Sequence, residues 1–280
     1  MILVKTEKTI IPFLQKWRKN QLSIGFVPTM GALHNGHLSL ISSSISDCDI
    51  CVSSLFVNPT QFNNKSDFEK YPVTLEKDIA LLEAAGCYIL FLPSVTEIYP
   101  PNYVPPHYPL GELEMILEGK YRPGHFQGVC QVVDRLLHIT HPQCLYLGQK
   151  DYQQCMVIKK MIELRNYFTD VKINPTIRDA NGLALSSRNM RLSDEEKILA
   201  LHLSKTLFYI KENIEPGNVE LLKQQMAQQL EDKGFKVDYV EIASAATLET
   251  VTHWNGNDKL VALVAAYINE VRLIDNMLLF

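Results

Sequence analysis

Over its first 175 residues the chain alternates short apolar runs with segments of helical periodicity, and this alternation restricts the fold more than any other feature. The runs "SIGFVPT" (23–29), "DICVSSLFVN" (49–58), "CYILFLPS" (87–94), "CLYLGQKD" (144–151) and "VKINPTIR" (171–178) read as buried strands. Between them lie helical patterns at 9–20, 37–48, 74–86, 128–140 and 152–167, the third closed by Gly86. Strands separated by helices are too far apart along the chain to pair as hairpins. They need crossover connections, which give a parallel, doubly wound sheet covered by helices on both faces. A polar loop at 59–72 and a proline-rich stretch at 98–110 interrupt the pattern.

From residue 176 the pattern changes. "TIRDANGLALSSRNMRLSDEE" is polar and turn-rich, long helices follow over roughly 194–233, and three strand-like pieces close the chain: "KVDYVEIAS", "KLVALVAAYI" and "VRLIDNMLLF". The expected architecture is α/β, with a Rossmann-like doubly wound domain over 1–175 and a second, smaller α/β domain over 176–280. No internal repeat or low-complexity segment is present.

A chain of 280 residues can bury a core of either size. Its net charge of −4 offers no global basic field for nucleic acid or anionic lipid, so neither is an expected partner. No apolar run approaches the ~20 residues of a membrane span. The opening "MILVKTEKTI" lacks the basic-then-apolar order of a signal peptide. The six cysteines are scattered and do not form a secreted disulfide framework, so a cytoplasmic protein with reduced thiols is expected. Cys48 and Cys51 form a C-x-x-C, but they run into a strand instead of opening a helix, and no second pair completes a zinc site. They read as small buried residues at a helix-to-strand junction.

Chemistry concentrates in "VPTMGALHNGHLSLI" (27–41), which joins the first strand to its helix. In a doubly wound sheet, ligands gather outside the carboxyl ends of the strands. A helix N-terminus there offers unpaired N–H groups and partial positive charge, which suits phosphate. Gly31 and Gly36 let backbone approach a ligand closely, and His34 and His37, three apart, share one helical face. A zinc reading fits less well, because H-E-x-x-H sites space their histidines four apart around a glutamate and here the spacer is Asn35-Gly36. Core packing suits a lone histidine better than a pair flanked by glycines. Phosphate handling is the reading that fits.

The run resembles the H-x-G-H signature of the nucleotidyltransferase superfamily, and the longer "PTMGALHNGH" resembles the pantothenate synthetase family. That family joins pantoate to β-alanine at the expense of ATP, through an enzyme-bound pantoyl adenylate. Three further blocks resemble it in order: "LFVNPTQF" (55–62), "RPGHFQGV" (122–129) with "LGQKDYQQ" (147–154), and "LALSSRN" (183–189). The resemblance implies His37, His34 and Lys150 as catalytic groups. It implies an ATP site from Met30, Gly31, Ala32, Leu33, His34, His37, Gly148, Lys150, Asp151, Ile177, Leu185, Ser186, Ser187 and Arg188. Gln61, Gln154 and Asn58 would meet pantoate or β-alanine. Mg²⁺ would enter with ATP, held mostly by phosphate oxygens, with no protein metal ligand named by the sequence. The resemblance also implies a C-terminal lid and a homodimer, for which the apolar strand face "ICVSSLFV" is the candidate interface.

The residue types agree with that chemistry. Asn58 and Gln61 close the second strand, and a neutral amide suits the hydroxyls and carboxylate of a hydroxy acid; Asn58 beside Pro59 also reads as a cap. Gln154 lies just inside the helix after the fourth expected strand. Lys150 is either a solvated strand end or a point charge for phosphate. "SSRN" carries two hydroxyls and a guanidinium suited to several phosphate oxygens, or serves as a helix cap. His125 reads equally as orienting the site or as a loop histidine. Where the family pattern often has acidic residues, this chain has Gln149, Ala180 and Asn181, which lowers the charge at the rim. A sister nucleotidyltransferase would share "HNGH" without accounting for "NPTQF" and "GQKDYQQ". A tRNA synthetase needs a tRNA-binding module that is not evident here, and an inactive scaffold has no use for His34, His37, Lys150 and Arg188 together.

Overall fold

Neighbouring residues of each strand face different helices, and this parity builds the first half of the molecule. The computed structural model describes residues 1–280. Its first elements are β1 (Ile2–Val4), α1 (Glu7–Lys19), β2 (Ile24–Thr29), α2 (Asn35–Asp47), β3 (Ile50–Leu55), α3 (Lys65–Glu69), α4 (Leu75–Ala84), β4 (Ile89–Phe91) and α5 (Val95–Ile98). They continue with α6 (Glu118–Tyr121), α7 (His125–Thr140), β5 (Cys144–Gly148), α8 (Tyr152–Arg165) and β6 (Asp170–Asn174). The strands form one sheet in the order β1-β4-β3-β2-β5-β6, and every pairing is parallel. Ile24, Phe26, Ile50, Val52, Ile89, Phe91, Leu145 and Leu147 belong to a core shared with residues of α1, α7 and α8. Val27, Cys51, Leu55, Leu90 and Tyr146 belong to a second core, with α2 and α4. Each fully buried Phe, Leu or Ile contributes about 1.5–3 kcal/mol, which holds helices to both faces.

Three local readings change. β1 is a strand that the sequence did not announce: three residues paired with β4 are too few to show alternation. β6 stops at Asn174 and not at 178, because Pro175 brings no N–H to continue the ladder. The proposed dimer face "ICVSSLFV" is not an available surface. All six residues of β3 are buried, between β2 and β4, so this strand is core and the interface expectation on it is withdrawn.

Gly25 shows how tightly α2 sits on the sheet. A Cβ at Gly25 would lie 2.3 Å from Ser44 Oγ, 3.0 Å from the Tyr146 ring and 3.2 Å from Cys48 Sγ. Gly25→Ala should therefore destabilise the protein by about 1–3 kcal/mol, the usual cost of overpacking. Urea unfolding checks this, and an unchanged midpoint would mean that α2 has room to shift.

The last elements are α9 (Asp194–Asn213), β7 (Gly217–Asn218), α10 (Glu220–Glu231), β8 (Lys236–Ser244), β9 (His253–Trp254), β10 (Leu260–Ile268) and β11 (Val271–Leu278). α9 opens on a capping box, with Ser193 Oγ accepting from Glu196 N at 3.2 Å and Glu196 Oε2 accepting from Ser193 N at 2.8 Å. The helical stretch breaks at Pro216-Gly217, where Gly217 has φ +124°. β8, β10 and β11 form an antiparallel sheet in the order β11-β10-β8. Its apolar residues share a core with α9 and α10 that includes Leu203, Leu207, Met226, Leu230, Val264 and Leu273. The chain divides into two compact units, Met1–Gln149 with Gln154–Pro175, and Lys150–Gln153 with Thr176–Phe280. The short segment carrying Lys150 thus groups with the C-terminal residues. All six cysteines are free, including Cys48 at the C-cap of α2 and Cys51 in β3. No helix is long and apolar enough to cross a membrane.

Candidate active site

In the first unit the strand order reverses at β2: β3 and β4 lie to one side, β5 and β6 to the other. Connections leaving the carboxyl ends of β2 and β5 therefore depart in opposite directions, the arrangement that opens a ligand crevice in such sheets. Met30–His34 follow β2, and Gly148 ends β5.

The loop after β2 turns through two left-handed residues, Gly31 at φ +87° and Ala32 at φ +50°. Its N–H groups at Ala32 and Leu33 donate to the two carboxylate oxygens of Asp78 on α4, at 2.9 and 2.8 Å. These two amides, on residues expected to line the ATP site, are thus occupied by a protein carboxylate.

His34 is the N-cap of α2, and its Nδ1 accepts from Gly36 N at 3.1 Å. His37, at the third helical position, accepts on its own Nδ1 from His34 N at 3.4 Å. The result is a capping box made from two imidazoles, whose ring centroids lie 4.1 Å apart. An Nδ1 that accepts an amide hydrogen carries none itself, so in both neutral rings the hydrogen sits on Nε2. The first turn of α2 contains no acidic residue to cancel its positive end. Such a terminus can receive an anion through oriented N–H groups from backbone and imidazole.

Gln61 ends a 3₁₀ turn, Pro59–Gln61, and is buried. Its Nε2 donates to Met30 Sδ at 2.9 Å, which ties this amide to the histidine loop. Asn58 caps the turn and is only 1% exposed. Its Nδ2 donates to Gln61 Oε1 at 3.3 Å and to Gly128 O at 3.1 Å, while its Oδ1 accepts from Thr60 Oγ1 and from Tyr99 OH. Burial pushes the Tyr99 phenol up, which keeps it a donor. With its amide engaged on both sides by the protein, Asn58 has the geometry of a holder of Gln61. His125 is 4% exposed and its Nδ1 lies 2.8 Å from Gln61 O. A carbonyl only accepts, so this ring carries its hydrogen on Nδ1. Gly128 lets α7 approach, since a Cβ there would sit 2.4 Å from Thr60 O. Gln154 is half-buried on α8.

The other expected residues lie in the second unit. Ile177 and Leu185 face each other across a narrow hairpin, with Leu185 N donating to Ile177 O at 2.9 Å. Ser186 caps a 3₁₀ turn, Ser187–Arg191, by accepting from Arg188 N at 3.3 Å, so the capping role of this serine is real. Ser187 is buried and Arg188 half-buried. β11 fastens both pieces. Asp275 takes a two-pronged hydrogen bond from Arg178 of the hairpin, at 2.6 and 3.0 Å, and Asn276 Nδ2 donates to Lys150 O at 2.7 Å. Lys150 Nζ has Asp151 Oδ1 at 3.7 Å, a loose ion pair. No three His, Cys, Asp or Glu side chains gather in a way that could hold a metal ion.

Asp78 and the Arg178–Asp275 pair are the parts that the sequence did not assign, and for His125 it left two readings open. Asp78 had a readable signal: Leu75, Asp78 and Leu82 lie at helical spacing on one face of α4, so an acid sits where an apolar residue is expected.

The family model for pantoate-beta-alanine ligase matches residues 2–278. The pantothenate synthetase of Cytophaga hutchinsonii is 46% identical over 267 residues, covering 94% of this chain and 93% of its own. That of Porphyromonas gingivalis is 42% identical over 279 residues, covering 99% of both. Among solved structures, the pantothenate synthetase of Thermus thermophilus superposes with a TM-score of 0.85 at 36% identity, over 100% of both chains. The pantoate-beta-alanine ligase of Francisella tularensis, solved with beta-gamma ATP and beta-alanine, gives 0.85 at 39% identity, over 100% of this chain and 98% of that one. With a family match from end to end, and with the histidine loop, the Gln61 turn and the serine turn all present, the chain belongs to the pantoate–β-alanine ligase family.

Proposed function

We infer that the chain condenses (R)-pantoate with β-alanine, using ATP and passing through pantoyl adenylate. The observation that carries this reading is the His34–His37 capping box at an acid-free helix N-terminus, with the Gln61 amide bonded to the same loop through Met30. A pantoate carboxylate oxygen attacks the α-phosphorus of ATP and pyrophosphate leaves. The β-alanine amine then attacks the acyl carbon, the bond to the AMP oxygen breaks, and the amine loses its proton. No covalent bond to the protein forms, so catalysis rests on positioning and on stabilising developing charge.

His34 and His37 act as Nε2–H donors to the phosphates, and Lys150 supplies a point charge. Ser186, Ser187 and Arg188 act on the nucleotide, with Met30, Gly31, Ala32, Leu33, Gly148, Asp151, Ile177 and Leu185 around it. Gln61 and Gln154 align pantoate, and Asn58 acts by holding Gln61. Mg²⁺ enters as part of the Mg·ATP substrate, coordinated by phosphate oxygens and water. A lid role for the second unit rests on family resemblance. Free thiols support a cytoplasmic enzyme. The homodimer rests on family resemblance, and sedimentation of the purified protein tests it.

The experiment is pyrophosphate release from Mg·ATP with each substrate omitted in turn. Pantoate alone should release about one equivalent per site, and adding β-alanine should give sustained turnover to AMP. Absence of pantoate-dependent release from a protein that binds ATP would overturn the substrate assignment. His125 gives a further check. His125→Ala leaves the buried Gln61 carbonyl without its donor, which costs about 1–3 kcal/mol of stability. It should also raise the KM for pantoate several-fold, with His125→Asn restoring part of both. An unchanged KM would mean that Gln61 is held without it.

A further inference from the structure

We propose that Asp78 is a positioning residue for the ligation, holding the histidine loop in its working shape from behind. This rests on the reading that the loop handles the nucleotide. The side chain is 2% exposed, and no lysine or arginine pairs with it. A buried carboxylate is costly unless donors surround it. The donors here are Ala32 N at 2.9 Å, Leu33 N at 2.8 Å and Thr74 Oγ1 at 3.1 Å. Two consecutive amides converge on one carboxylate because Gly31 and Ala32 both take left-handed backbone angles, +87° and +50°. A turn of this kind makes a small anion-binding concavity, and the anion that fills it belongs to the protein.

That occupancy has two consequences. Ala32 is an L-residue in a region it adopts reluctantly, so the turn persists only while something holds it. The clamp is that hold, and the residue after Leu33 is His34, whose extended φ of −141° sets the start of α2 and the imidazole box. Release of the clamp frees Ala32 to relax, and His34 and His37 lose their shared geometry. In addition, the Ala32 and Leu33 amides are committed to Asp78. A phosphate at this loop is therefore received by the first turn of α2 and the imidazoles. Gly31 fits the same picture, since a Cβ there would lie 3.0 Å from Asp78 Oδ2.

Three variants separate positioning from simple packing. Asp78→Asn keeps the size but turns an NH₂ toward a backbone donor, and Asp78→Ala removes the clamp. Leu82→Ala is the control, a cavity on the same helix at a fully buried residue that shares a core with Leu33 and whose apolar side chain makes no hydrogen bond to the loop. Pantoate-dependent pyrophosphate release should fall roughly 10²-fold in kcat for both Asp78 variants, the scale expected for about 1 Å of misplacement, with the KM for ATP changing only a few-fold. Leu82→Ala should lose as much in Tm and keep kcat within about twofold. Hydrogen exchange at the Ala32 and Leu33 amides should quicken in the Asp78 variants and not in Leu82→Ala. If Asp78→Ala does not fold, Thr74→Val, which removes one hydrogen bond to the carboxylate, should give a smaller loss of kcat and faster exchange at the same amides. Asp78 variants that lose Tm while keeping kcat, or that leave those amides protected, would overturn the proposal. The exchange arm reads the clamp without turnover, so a failure of the ligase reading shows separately, as a wild-type protein without pantoate-dependent release.

Discussion

His37→Ala should lower kcat for pantothenate formation by about two to three orders of magnitude, the range for loss of a hydrogen-bond donor aimed at developing charge. The fold should survive. The substitution removes one long backbone hydrogen bond, His34 N to His37 Nδ1 at 3.4 Å, a loss of about 0.5–1.5 kcal/mol. His34 still caps Gly36, and Leu40 and Ile41 still bury the inner face of α2. His37→Gln should recover part of the rate, because glutamine at this position can accept from the His34 amide while its NH₂ donates outward. A neutral donor role requires that recovery. Near-normal turnover in a folded His37→Ala protein would remove His37 from the mechanism.

Lys150→Ala should have the second largest effect, roughly 10²-fold or more in kcat/KM for ATP, because nothing else in its segment supplies a positive charge. Its ion pair with Asp151 is loose at 3.7 Å, and its backbone is fixed separately by Asn276. Truncation therefore removes the charge without unfastening the segment, and the Tm should change little. Lys150→Arg keeps the charge but changes the reach and planarity of the group, and should restore only part of the rate. Equal activity of Lys150→Ala and wild type at subsaturating ATP would make Lys150 a surface strand-end residue.

The sheet was legible in the sequence because a parallel sheet covered on both faces makes each strand a continuous apolar run. Such runs as "IGFVPT" and "ICVSSL" stand out between helices of different period. Elements defined by few residues were not legible. β1 is three residues long, and the Pro216-Gly217 break lies inside an otherwise helical stretch. The loop chemistry showed through because helix N-terminus, glycines and histidines are local in the chain. What supports it is not local. Asp78 is 46 residues from Ala32, His125 is 64 from Gln61, and Arg178 is 97 from Asp275. Single residues with distant partners leave no periodicity. Asn58 carries the capping role that its place beside Pro59 suggested, on Pro59–Gln61, while its hydrogen bond to the Gln61 amide could not be read from the sequence.

Attack of the pantoate carboxylate on the α-phosphorus leaves a signature that isotope transfer can read. The purified protein is given Mg·ATP, β-alanine and pantoate labelled with ¹⁸O in its carboxylate, and the phosphorus products are analysed by mass spectrometry. Carboxylate attack should place one ¹⁸O in AMP and none in pyrophosphate, because the bridging oxygen leaves with AMP when the amine takes the acyl carbon. Label in inorganic phosphate with formation of ADP, or unlabelled AMP alongside pantothenate, would contradict it.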